Sequence, residues 1–255
     1  MFDTISHVLP ELSGVSRSKS KTIEQFRVLQ QSGMDSICYI PPFQMDNNNT
    51  WGEAVQKTVE KYSEDESFPA GLSLSAGHTL TLSPELLNDL MTGRALPLNE
   101  TEFVLIDLSN TSLQVATTDF YNLAVAGYYP IILYPEKDER FQENPDLLYK
   151  LVKSGAYTLI DASSMIKSSK QQKKFIRALL NSQLVHMVGN YTKILLEEEH
   201  DRATVNEFVR KHSPKYGDYI LTNLTNLLEG RAIQIEEPLR AEKKFLSSFF
   251  AKSKS

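Results

Sequence analysis

The chain has 255 residues, 41% hydrophobic and 23% charged, with 11 Gly, 11 Pro and a single Cys. This balance excludes disordered, collagenous and coiled-coil chains, and the length is enough for one large core; the lone Cys38 excludes an internal disulfide. The formal net charge of −5 divides into −9 over residues 1–239 and +4 over the last sixteen residues, so the body is too acidic for a general binder of nucleic acid, whose affinity rests on phosphate neutralisation.

In chain order, the opening Met1-Phe2-Asp3-Thr4-Ile5-Ser6-His7 has no basic n-region or long apolar h-region, and no later run reaches the roughly 18 apolar residues of a membrane span. A cytoplasmic protein is expected. Phe2 to Ser6 reads as a strand. Thr22 with Gln25 has the spacing of a capping box, and Ile23, Phe26 and Leu29 then form one apolar face up to Ser32-Gly33. Strands follow over Ser36 to Ile40 and Leu72 to Ala76. Ser83-Pro84-Glu85 starts a helix, with Ser as N-cap and Pro at the first helical position, that runs through Leu86, Leu87 and Leu90 to Gly93.

Further strands are predicted over Phe103 to Leu108 and Pro130 to Tyr134. Asn144-Pro145-Asp146 opens a helix that buries Leu147, Leu148, Leu151 and Val152 and stops at Gly155. After a strand over Tyr157 to Asp161, residues Ser168 to Asn181 place Phe175, Ile176, Leu179 and Leu180 inward and Lys170, Lys173, Lys174 and Arg177 outward. The last predicted strand is Val185 to Gly189. Seven strands alternating with helices predict an α/β fold around a mostly parallel sheet, close to a barrel.

No Gly-rich phosphate loop, Cys pair or His-Glu-x-x-His segment occurs. Cys38 lies inside an apolar strand pattern and reads as a small core residue. His186 and His78 read as structural, and His200 as a surface residue in its acidic run. Beyond Pro238, Phe245, Leu246, Phe249 and Phe250 recur on one helical face flanked by Lys. Such a basic amphipathic tail suits an anionic membrane surface or a partner's groove. The expected division is a barrel domain over 1–238 and a tail over 239–255.

Several segments, in order, carry a resemblance. They are Asp3-Thr4-Ile5-Ser6-His7-Val8-Leu9-Pro10 with Glu11-Leu12-Ser13-Gly14; Ile40-Pro41-Pro42; Gly77-His78-Thr79-Leu80; Pro130-Ile131-Ile132-Leu133-Tyr134-Pro135-Glu136-Lys137; Asn144-Pro145-Asp146-Leu147-Leu148-Tyr149; Leu184-Val185-His186; and Asn190-Tyr191-Thr192-Lys193. This set resembles the bacterial tyrosine phosphatases of the polymerase and histidinol phosphatase (PHP) superfamily that serve capsular and exopolysaccharide synthesis. The resemblance spans roughly residues 1 to 235 and implies a distorted (β/α)7 TIM-like barrel with its site at the C-terminal strand ends.

Intact members of that family hold divalent metals such as Mn, Fe or Zn with imidazoles and carboxylates, which activate water for phosphoester hydrolysis. By resemblance, only His7 keeps a ligand here. Ile5, Pro42, Tyr134 and Lys193 stand where the family has His, Thr79 where it has Glu, Tyr191 where it has Asp, and Ser13 and Gly14 replace loop acids. Those side chains are poor ligands or none. The sequence therefore predicts no cofactor and a pseudo-phosphatase that binds or regulates without catalysis, with a bacterial tyrosine kinase or another exopolysaccharide-synthesis protein as the partner the resemblance implies. The alternative is an active or weakly active phosphotyrosine phosphatase with a reduced or rebuilt metal site. The expected vestigial pocket comprises Asp3, His7, Tyr134, Glu136, Lys137, Tyr191, Lys193 and Arg202. Lys137, Lys193 and Arg202 would be anion donors, each lysine being solvated, paired with a carboxylate such as Glu136 or paired with a bound anion, and Tyr134 and Tyr191 would be walls.

Overall fold

The computed structural model describes residues 2–5, 9, 18–44, 50–191 and 202–241. Eight strands form among them: β1 Phe2–Ile5, β2 Ser36–Tyr39, β3 Ser73–Ala76, β4 Thr79–Leu80, β5 Phe103–Ile106, β6 Tyr129–Leu133, β7 Tyr157–Asp161 and β8 Met187–Gly189. The helices are α1 Lys19–Gln31, α2 Trp51–Ser63, α3 Leu86–Met91, α4 Leu113–Val125, α5 Glu139–Glu143, α6 Pro145–Lys153, α7 Ala162–Lys167, α8 Lys170–Asn181, α9 Arg202–His212 and α10 Gly217–Leu228.

Every strand pairing is parallel, in two sheets of order β1-β2-β3 and β4-β5-β6-β7-β8. The expected α/β class with a parallel sheet is present. The expected single seven-stranded barrel is replaced by two sheets that do not close, and β4 is an additional strand. Two prolines explain the first break: Pro41 and Pro42 follow β2 and cannot donate to a ladder, so among the described residues an isolated bridge from Pro42 to Thr79 links the sheets. At the other seam no ladder joins β8 to β1 among the described residues. There α10 lies against both strands, and a Cβ added to Gly189 would come within 3.1 Å of Leu224 and 3.4 Å of the Thr4 hydroxyl.

The local signals are largely realised. Pro145 opens α6, Gly155 follows it at φ 102°, and the Ser169 hydroxyl caps α8 by accepting from the Gln172 N–H at 3.1 Å. The capping box moves: α1 begins one turn earlier, with the Ser18 hydroxyl accepting from the Lys21 N–H, and Thr22 is buried in the helix. Ser18 offers the same hydroxyl geometry where the chain is still exposed, and Thr22 is taken into the core. The Ser83-Pro84 segment is a turn, with α3 starting at Leu86.

Strand side chains alternate between two apolar clusters. Val104, Ile106, Ile132 and Ile160 join the main core beneath the surrounding helices. Leu105, Ile131, Leu159 and Cys38 join a second core with Leu224, Leu227 and Leu228 of α10. Cys38 is fully buried, and burial pushes its thiol up to about 11, so it is the inert core residue expected.

Candidate functional site

The chemistry-bearing residues collect where β6, β7 and β8 end. Past Leu133 the chain turns left-handed at Tyr134 (φ 49°, ψ 51°), a region that costs a bulky side chain roughly 1–3 kcal/mol and persists only where the surroundings enforce it. The enforcing contact is the Tyr134 N–H, which still donates to the Leu159 carbonyl of β7 at 2.8 Å. A short 3-10 turn over Pro135–Lys137 then sends Glu136 inward and leaves Lys137 exposed.

Glu136 is fully buried. Its Oε1 accepts from the Asp161 N–H at 3.2 Å and the Ser164 hydroxyl at 2.8 Å, whereas Oε2 has no partner among the described residues. Asp161 ends β7, is also fully buried, and caps α7 by accepting from the Ser163 N–H at 2.8 Å. Its Oδ2 takes the Lys137 ammonium at 2.5 Å. That ammonium lies 4.3 Å from the centre of the Tyr134 ring, a cation–π placement. Lys137 therefore pairs with Asp161 and not with Glu136, because Glu136 turns its carboxylate into the protein toward Ser164.

One electrostatic field covers the group. Burial raises the Tyr134 phenol well above its usual value, and the Asp161, Asp3 and Glu136 carboxylates raise it further. Tyr191, buried just after β8, is raised by burial and by Asp3, with Arg202 and Arg210 opposing. Both phenols are thus neutral donors at neutral pH. The Tyr191 hydroxyl lies 3.4 Å from Asn206 Oδ1, and the Arg202 guanidinium lies 6.0 Å from its ring centre. Burial pushes Glu136 up to about 7, against the opposing Ser164 hydrogen bond and the Lys137 charge.

A carboxyl raised from 4.5 to about 7 contributes stability that is fully present below pH 4.5 and is lost as the pH rises through 7, worth on the order of 3 kcal/mol. Glu136→Gln keeps the Oε1 acceptor and removes this titration. Denaturant unfolding should show the variant gaining about 3 kcal/mol on the wild type between pH 4 and pH 8; parallel pH profiles would refute the assignment.

The structure thus brings Asp3, Tyr134, Glu136, Lys137, Tyr191 and Arg202 into one neighbourhood. His7 and Lys193 lie outside the described residues, as do Ser13, Gly14 and His200. Sequence reasoning missed Asp161 and Ser164. An acid at the C-terminal end of a predicted strand was a usable signal for Asp161, but its lysine partner lies 24 residues away. Beside the cluster opens a cleft of about 490 Å³, bordered by Asp107, Ser109, Tyr134, Lys137, Glu139 and Arg140. The Arg140 guanidinium is already committed to Asp138 and to the Leu108 and Thr111 carbonyls, which leaves Lys137 as the cation offered to the cleft among its described lining residues.

Whether such a site suits a metal depends on its donors. Among the described residues no group of three or more His, Cys, Asp and Glu side chains could hold a metal ion. Pro42 has no donor, the Thr79 hydroxyl donates to the Ile40 carbonyl at 3.2 Å, and the two phenols are neutral. His78 and His186 are buried with their pKa lowered to about 4. Each accepts a backbone N–H at Nδ1, from Leu96 at 2.9 Å and Thr158 at 3.1 Å. The proton is then on Nε2, which cannot ligate in that tautomer. The described residues do not fit a metal cluster.

A family model for capsular polysaccharide synthesis, CpsB/CapC, matches residues 1–227. The tyrosine-protein phosphatase YwqE of Bacillus subtilis (strain 168) is 27% identical over 98% of this chain and 100% of its own length. The tyrosine-protein phosphatase CpsB of Streptococcus agalactiae is 26% identical over 52% of this chain and 57% of its own. A solved structure superposes with a TM-score of 0.79 at 25% identity, covering 95% of this chain and 100% of that one; it comes from work on YwqE of Bacillus subtilis and CpsB of Streptococcus pneumoniae, described as unique metal-dependent tyrosine phosphatases. This likeness corrects the expectation of no cofactor, because a metal is indicated for proteins so similar along their whole length. The described donors alone do not supply the ligands.

Proposed function

Because the chain belongs to the capsular polysaccharide synthesis CpsB/CapC family, we propose that it receives phosphotyrosyl protein segments at the C-terminal ends of its parallel strands and acts there as a binding or regulatory pseudo-phosphatase. Lys137, with Lys193 and Arg202, donates to the phosphoryl oxygens. The neutral phenols of Tyr134 and Tyr191 form walls and add hydroxyl donors. The partner is a tyrosine kinase of the same cytoplasmic pathway. The observation that carries this reading is the lysine held at the edge of an open cleft; by resemblance, Pro42, Thr79, Tyr134 and Tyr191 stand where the family has metal ligands.

The second reading, an active phosphatase with a reduced or rebuilt metal site, is favoured by the metal dependence of the solved relatives. A phosphotyrosyl peptide titrated into the full chain, with and without manganese, separates the two. Binding should weaken about tenfold in Lys137→Ala, the scale of one charge-assisted hydrogen bond, without release of inorganic phosphate. Phosphate release that requires manganese and disappears in His7→Ala would overturn the pseudo-phosphatase reading and establish the second.

A further inference from the structure

Lys137 reaches the cleft already engaged. Its ammonium rests on the Asp161 carboxylate at 2.5 Å and over the Tyr134 ring at 4.3 Å, yet its side chain is 43% exposed while that of Asp161 is 0% exposed. Asp161 cannot swing away, because its other oxygen is fixed by the Ser163 N–H and its own N–H is bonded to Glu136. A ligand that drew the ammonium off would leave a buried, unpaired carboxylate, which is strongly unfavourable. Lys137 must therefore serve any ligand from where it stands, with a negative charge directly behind it.

From this geometry we infer that Asp161 is a positioning residue that sets the anion affinity of the mouth: it fixes the Lys137 ammonium at the cleft edge and competes with an incoming phosphoryl group for that charge. The inference rests on the reading of Lys137 as a phosphoryl donor and specifies how that donor is regulated. A dianionic phosphoryl group meets the Asp161 charge as well as that of Lys137, so the site is tuned to weak, reversible binding.

Asp161→Asn keeps an oxygen for the Ser163 cap and removes the charge; Asp161→Ser keeps a shorter cap if the first variant does not fold. Inorganic phosphate and O-phosphotyrosine are titrated by calorimetry into the full chain carrying wild-type sequence, Asp161→Asn, Lys137→Ala or both changes. Asp161→Asn should tighten both ligands about tenfold, and the gain should vanish in the double variant. A brief acetic anhydride pulse read by peptide mass spectrometry supplies a measurement that needs no ligand: Lys137 should be acylated faster in Asp161→Asn, because the ion pair at 2.5 Å occupies the Lys137 nitrogen and holds it in place. Unchanged acylation, or unchanged or weaker phosphate binding beside a clear response to Lys137→Ala, overturns the role of Asp161. Faster acylation with no phosphate binding in any variant upholds the positioning by Asp161 and sinks the phosphotyrosine reading instead.

Discussion

Lowering the pH from 7 to 4 should remove about 6 kcal/mol of folding free energy through two histidines, His78 and His186. Both are buried, and burial lowers each from 6.5 to about 4. A depressed folded-state value means the unfolded chain takes up the proton first, so the contribution is fully present above pH 6.5 and is lost as the pH falls toward 4. Neither ring can relieve the charge cheaply. His78 Nδ1 holds the Leu96 N–H and its Nε2 has no partner among the described residues, and His186 Nδ1 holds the Thr158 N–H within the β7 edge. Glu136 opposes this trend by about 3 kcal/mol over pH 7 to 4.5, since its raised value favours the folded state on acidification. Denaturant unfolding at pH 7, 5.5 and 4 should therefore show a net loss in the wild type and a steeper one in Glu136→Gln. His186→Asn, whose Oδ1 can replace Nδ1 as acceptor, should halve the histidine contribution. A Glu136→Gln protein equally stable at pH 7 and pH 4 would contradict the burial of both rings as titrating groups.

Phe26→Ala should cost 3–5 kcal/mol, the range for deleting a fully buried aromatic ring. Phe26 is 0% exposed on α1 and meets Tyr62 of α2 at 6.3 Å and Phe68 at 5.3 Å, both edge to face. The ring thus joins two helices and the loop before β3, and alanine leaves a cavity that its two rigid aromatic partners cannot fill. Chemical denaturation should show the full loss, with Phe26→Leu losing less. Because none of these rings borders the β6 to β8 mouth, phosphate binding by the folded fraction should not change; a variant of wild-type stability would show that the α1–α2 packing is not a fixed part of the core.

Much of the fold was legible in local signals. Pro145 and Gly155 bracket α6 because proline presets the first helical φ and glycine accepts the left-handed turn that ends it. Strands were legible as apolar runs at seven places. What failed was anything set by distance. Thr22 has the spacing of a cap, but burial took it, and Ser18 served. The two residues of β4 are too few to make a pattern, and they are a strand only because β5 and the prolines after β2 lie alongside. In the site, the identities of Tyr134, Glu136, Lys137 and Tyr191 came from matching motifs, whereas Asp161 and Ser164 belong to no motif and enter only because β6 and β7 end side by side.

By itself the sequence determined the parallel α/β class and the family, because these depend on residue type, periodicity and order along the chain. Tertiary structure decided that the sheets stay open, that Lys137 is bound to Asp161, and that Tyr134, Tyr191 and Glu136 are pressed toward their neutral forms. Burial and charge act through space, and residues 24 apart in the chain can lie one hydrogen bond apart in the fold.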